Sequence, residues 1–124
     1  MKNNHWYPDL AKSWKSFPHA IRGIKHTLAT ENNFKFHALA TLVVIAAGFF
    51  FNLMAWEWII ILILIGQVLV AELLNTALEN YLDWIHPDHS VHVKKIKDVC
   101  AAAVLIASIL AAAAGLIIFI PKIF

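Results

Sequence analysis

WIIILILIGQVLVAELLNTALENYLDW, from Trp58 to Trp84, decides the fold. Its first half, Trp58 to Ala71, carries no charge. Its second half sets Glu72, Asn75 and Glu79 at helical spacing. A carboxylate at the centre of a membrane helix costs at least ~2.5–3.5 kcal/mol on insertion scales. Two such groups in one apolar rod must face a protein interior or a wet cavity, with partners. At ~100° per residue, Glu72, Asn75, Thr76, Glu79 and Asp83 share a sector ~100° wide, so they lie on one face. Glu72 and Glu79 stand about 10 Å apart along the axis, too far for one ion to bridge easily. The deeper Glu72 then meets something lipidic, and the shallower Glu79 something from the cytoplasm. The competing reading is a polar seam that glues subunits together. Two carboxylates and an amide on one face, with lysines at the matching interface, favour chemistry.

The rest of the chain agrees with a membrane setting. Of its 124 residues, 60% are hydrophobic and only 15% charged, against ~25% charged in an average soluble protein. The length suggests one domain, 1–124. Residues 36–56 lack Asp, Glu, Lys and Arg and are long enough for a ~30 Å hydrocarbon core. The expected spans are 36–56, 58–85 and 97–120, with a turn around Glu57, a loop at Ile85–Ser90 and a stop at Pro121. The polar start shows no apolar run before a cleavage site, so no signal peptide is expected. A net charge of +2 gives nucleic-acid binding little support. Cys100, the lone cysteine, reads as a small packed hydrophobe.

Charge placement gives an orientation. Lys2, Lys12, Lys15, Arg22, Lys25 and Lys35 precede the first span, and Lys94, Lys95 and Lys97 follow the second. The positive-inside rule puts both segments in the cytoplasm, beside the half of the second span that carries Glu79 and Asp83. Residues 8–30 read as a helix lying on the membrane. Leu10, Trp14, Phe17, Ile21, Ile24 and Leu28 form one stripe, with Lys12, Lys15, Arg22 and Lys25 off it. Pro18 divides this helix, and Ser16 is placed to cap its second part. The simpler role is an electrostatic anchor to anionic lipid; the sharper one is a wall of the site. In the third span Ala103, Ala107, Ala111 and Gly115 form a smooth face for close helix approach. Three helices bury polar groups poorly alone, so a homo-oligomer is expected.

Lys97 and Asp98 enter the third span from the cytoplasmic side. A Lys there is a point charge for phosphate, and an Asp orients it or binds a metal through water. Glu31 lies just before the first span; alone it reads as a surface charge beside a helix start. Carboxylates from two helices plus phosphate oxygens would suit Mg²⁺. The seven histidines show no metal-ligand spacing, and no GxxxxGK[ST] loop is present.

ELLNTALENYLD, Glu72 to Asp83, resembles the signature of the prokaryotic diacylglycerol kinase family. KDVCAAAVLI at Lys97 to Ile106 looks like that family's third-helix start. KSFPHAIRGI at Lys15 to Ile24, ENNFKFHA at Glu31 to Ala38 and the ending GLIIFIPK resemble its undecaprenol kinase branch. The resemblance implies an all-α protein with three membrane helices and a surface helix, assembled as a homotrimer in the bacterial plasma membrane. It implies transfer of the γ-phosphate of MgATP to a lipid alcohol, undecaprenol or alternatively diacylglycerol. Glu72 matches the catalytic Glu that acts on the lipid hydroxyl, and Glu31 and Glu79 match the metal carboxylates. Lys97 and Asp98 match nucleotide contacts, as do Lys12, His19, Asp88, His89 and Ser90, with Glu31 and Glu79 beside the nucleotide. Lys35 and Asn75 join Glu72 at the lipid substrate. Lys35 stands where the family often has Arg, keeping the charge and losing the bidentate contact. Val99, Cys100 and Ala102 stand where relatives use smaller residues or Gly. A small cation-coupled transporter using the same carboxylates, and a non-catalytic assembly partner, are the alternatives of other classes. A transporter does not need Lys97 and Asp98 at the interface, and an assembly partner would be held by the Ala103–Gly115 face.

Overall fold

The structure, a computed structural model, describes residues 8–88 and 90–124. Among these the elements are all helical: α1 Leu10–Trp14, α2 Phe17–Thr30, α3 Asn32–Phe50, α4 Ala55–Ile85 and α5 Val91–Ile123. Three of them, α3, α4 and α5, are long and apolar enough to cross a membrane. In hydrocarbon the backbone must satisfy its own hydrogen bonds, which is why these Ile-, Leu- and Val-rich runs form unbroken helices despite their β-branched content. At 1.5 Å per residue α4 is ~46 Å long, well beyond a ~30 Å core. One end therefore stands outside the hydrocarbon.

The α3–α4 turn falls earlier in the chain than the expected turn around Glu57. Asn52 has φ 50°, the left-handed conformation that ends a helix and that Asn tolerates. Leu53 N–H donates to Gly48 C=O at 3.1 Å and Asn52 N–H to Phe49 C=O at 3.2 Å, the paired bonds of a Schellman cap. Leu53 then packs with Ile61 and Ile118, against Val44, Trp58, Ile65 and Phe119. Glu57 lies inside the first turn of α4, where its Oε2 accepts from Met54 N–H at 2.7 Å. It is buried and pairs with Lys122 at 3.0 Å. That pair helps explain a second difference. Pro121 does not stop α5, which continues to Ile123. The last turn is held by Lys122 on Glu57 and by Phe124 N–H on Ile120 C=O at 3.2 Å.

At the opposite end, α5 begins at Val91, so Lys94 and Lys95 are already helical ahead of the expected start at Lys97. Ser90 caps it, its Oγ accepting from Val93 N–H at 3.2 Å. Asp9 caps α1 in the same way, accepting from Lys12 N–H at 3.2 Å. Pro18 sits in the first turn of α2 as expected, but Ser16 makes no side-chain cap bond. Its backbone is already helical (φ −79°, ψ −26°), whereas a capping side chain needs an extended backbone. Glu31 is the corner between α2 and α3, in an extended conformation. The stripe Leu10, Trp14, Phe17, Ile21, Ile24 and Leu28 is exposed.

Candidate active site

Helix α4 packs along α5 and against α3, while α2 reaches both α3 and α4. This leaves a cleft between α3 and α5, floored by Ile65 and Val68 of α4. The cleft has a volume of about 570 Å³ and is almost wholly apolar. Ala111 and Gly115 line it, so this part of the small-residue face opens onto the cleft, while Ala107 is buried. Its polar groups are few: His37 and Thr41 on α3 and Ser108 on α5.

His37 joins the cleft to the acid cluster. Its Nε2 lies 3.3 Å from Oε1 of Glu72, which is only 3% exposed. Thr76, one turn on, is buried as well. The axial rise from Glu31 to His37 is ~9 Å and from Glu79 to Glu72 ~10 Å. Helices α3 and α4 are antiparallel neighbours, so contact between His37 and Glu72 brings Glu31 and Glu79 to one level. Both acids lie within electrostatic reach of Glu72. Asn75 donates its Nδ2–H to Glu79 Oε1 at 3.2 Å. Its Oδ1 is buried without a hydrogen-bond partner among the described residues. A buried acceptor left unpaired carries a desolvation penalty that a bound hydroxyl or water would relieve.

Lys97 pairs with Asp83 across the α4–α5 corner, rather than with the adjacent Asp98, which is exposed. A second depression, about 300 Å³, is lined by Ser90, Val91, Val93, Lys94 and Lys97 at the start of α5. Lys94 was not singled out in the sequence; its signal was its place one turn before Lys97. Lys35 is exposed in the first turn of α3. Lys12 on α1 and His19 on α2 are exposed, and His19 approaches Arg22 rather than the acids. Asp88 is exposed in the α4–α5 loop, and Ser90 is engaged as the α5 cap. His89 lies outside the described residues. Among the described residues, no three His, Cys, Asp or Glu side chains converge as a metal cage.

Three membrane-length helices, with a buried carboxylate on α4 and acids and lysines toward one end, describe a membrane protein. Residues 18–119 match the family model for prokaryotic diacylglycerol kinase. The chain is 45% identical over 114 residues to the undecaprenol kinase of Bacillus subtilis, covering 92% of this chain and 93% of that protein. It is 34% identical over 125 residues to the diacylglycerol kinase of Synechocystis, covering 98% of this chain and 69% of that protein. The chain belongs to the prokaryotic diacylglycerol kinase family and is a lipid kinase.

Proposed function

We propose that this protein transfers the γ-phosphate of ATP to the hydroxyl of undecaprenol, yielding undecaprenyl phosphate and ADP. Diacylglycerol, giving phosphatidic acid, is the alternative acceptor. The observation that carries the reading is the buried Glu72, joined through His37 to an apolar cleft and within electrostatic reach of Glu31 and Glu79. A lipid hydroxyl does not leave the bilayer and ATP does not enter it, so the two must meet at such a junction. The close full-length likeness to a kinase named for undecaprenol supports that lipid over diacylglycerol.

In this reading the lipid tail lies in the cleft between α3 and α5, and Asn75 Oδ1 accepts a hydrogen bond from the lipid hydroxyl as the lipid docks. Glu72 then takes the hydroxyl proton as general base, a role suited to a carboxylate held out of water at hydrogen-bond reach of its target. The lipid oxygen attacks the γ-phosphorus and the bond to ADP breaks. Phosphoryl transfer needs mainly positioning and charge neutralisation. Lys97 and Lys94 at the start of α5 supply positive charge, with Asp98, Asp88, His89 and Ser90 around the nucleotide and Lys12 and His19 approaching from the N-terminal helices. Lys35 sits beside the lipid head.

The donor set fits Mg²⁺: two hard carboxylates, Glu31 and Glu79, both within electrostatic reach of Glu72, with no full cage of side chains among the described residues. Mg²⁺ keeps most of its shell as water and phosphate oxygen. When bound it would neutralise the phosphate charge. The fold fits a cell-membrane protein of one domain, 1–124, with its N-terminus and site in the cytoplasm and α1–α2 lying on the inner surface through their exposed apolar stripe. The many exposed Leu and Ile side chains of α3 to α5 leave room for a homotrimer as well as for lipid. The experiment is turnover of purified protein with MgATP on undecaprenol and on diacylglycerol in the same mixed micelles. Faster phosphorylation of undecaprenol supports the reading. Faster phosphorylation of diacylglycerol reverses the lipid choice, and no transfer to either removes the reading.

A further inference from the structure

We propose that His37 is a positioning residue for Glu72, fixing the carboxylate between the apolar cleft and the acid cluster. The inference rests on the proposed role of Glu72. The whole α3–α4 hairpin separates the two residues in sequence, yet the fold sets His37 Nε2 at 3.3 Å from Glu72 Oε1. A carboxylate with 3% exposure has few partners to choose from, and this imidazole is the one Lys, Arg or His side chain within 4.0 Å of it among the described residues.

The ring is itself held. Phe36 meets it edge-on at a centroid distance of 5.6 Å, and Thr41 Oγ1 donates to the His37 carbonyl at 2.8 Å, tying that turn of α3. His37 also lines the cleft, so its face of α3 touches both the lipid path and the base. An imidazole N–H turned toward Oε1 as substrate binds would leave Oε2 for the lipid hydroxyl. Contacts of this kind are often long before substrate binds and shorten in the reacting complex. The other charged groups near the pair are Glu31 at the α2–α3 corner and Glu79 on α4. Both are acidic and offer the carboxylate no N–H, whereas the His37 imidazole carries one. No other histidine of the described chain is placed to do this.

The test measures lipid phosphorylation by full-length His37→Leu, His37→Gln, Glu72→Asp and the His37→Leu/Glu72→Asp double variant in micelles. Small displacements of a catalytic group cost up to about 100-fold in rate. His37→Leu is expected to lower kcat about 10- to 100-fold with KM for MgATP unchanged. His37→Gln, which keeps an N–H at similar reach, should retain most of kcat. In Glu72→Asp the carboxylate has already withdrawn by one methylene, so adding His37→Leu should cost less than about threefold more, because residues acting as a unit are non-additive. Full kcat in His37→Leu would overturn the proposal, as would an equal loss in both backgrounds. Should His37→Leu not accumulate in membranes, a folded His37→Gln with kcat down tenfold or more overturns it instead. Failure of wild-type protein to phosphorylate any lipid would strike the function itself and is read separately.

Discussion

Gly48 connects the turn chemistry to the site. A Cβ at this position would stand 2.6 Å from Cη2 and 2.8 Å from Cζ2 of Trp58, and 3.1 Å from Leu53 Cδ1. Carbon contacts are comfortable at ~3.5–4.0 Å, so the indole must retreat by about 1 Å. It is braced by Phe49, at a centroid distance of 4.9 Å, and by the cluster around Leu53 and Ile61. Gly48→Ala gains up to ~1 kcal/mol of helix propensity and loses ~1–3 kcal/mol to overpacking. The expected balance is a destabilisation of about 1 kcal/mol, seen as a fall in Tm of roughly 3–5 °C. Gly66→Ala is the control, because nothing lies within 4 Å of its Cβ position; its Tm should hold or rise. The assay is thermal unfolding in detergent followed by circular dichroism. The same hairpin sets the register of α3 on α4, and with it His37 on Glu72, so Gly48→Ala should also lower kcat. A Gly48→Ala protein as stable as Gly66→Ala would refute the packing argument.

Glu79→Ala and Glu31→Ala should each raise the Mg²⁺ concentration for half-maximal rate more than they raise KM for lipid, measured by magnesium titration at saturating ATP. Equal effects on both constants would separate these acids from the metal. Gly115→Leu, which projects into the α3–α5 cleft, should raise KM for lipid and leave KM for MgATP unchanged. An unaltered lipid KM would move the tail out of that cleft. Lys97→Met should raise KM for MgATP and lower kcat, and Lys94→Met should act chiefly on KM. Loss of lipid affinity alone in either would contradict the phosphate role.

The three long helices were legible because charge-free runs of Ile, Leu, Val and Ala have one stable answer in hydrocarbon. The face shared by Glu72, Asn75 and Glu79 was legible too, since it depends only on helical periodicity within one element. Helix ends were less so. Glu57 read as a turn because it is charged, yet Met54 N–H and Lys122 satisfy it inside the first turn of α4. Pro121 read as a stop because it lacks a donor, yet the Lys122 ion pair keeps the last turn helical. Contacts across helices were hidden altogether. That Lys97 meets Asp83 rather than Asp98, and that His37 meets Glu72, depends on how α4 stacks on α5 and α3. No spacing along one helix encodes that register. Nothing in the sequence marked His37 above the other histidines.

Transfer of labelled phosphate from ATP to undecaprenol by Glu72→Gln, beside wild-type protein of matched folding, tests the account most directly. The amide fills the same space and takes no proton. Loss of a positioned general base costs typically 10²–10⁴-fold, so kcat should fall by about that factor while MgATP still binds. Wild-type kcat in Glu72→Gln would contradict the account, because the buried carboxylate beside His37 would then have no part in the chemistry.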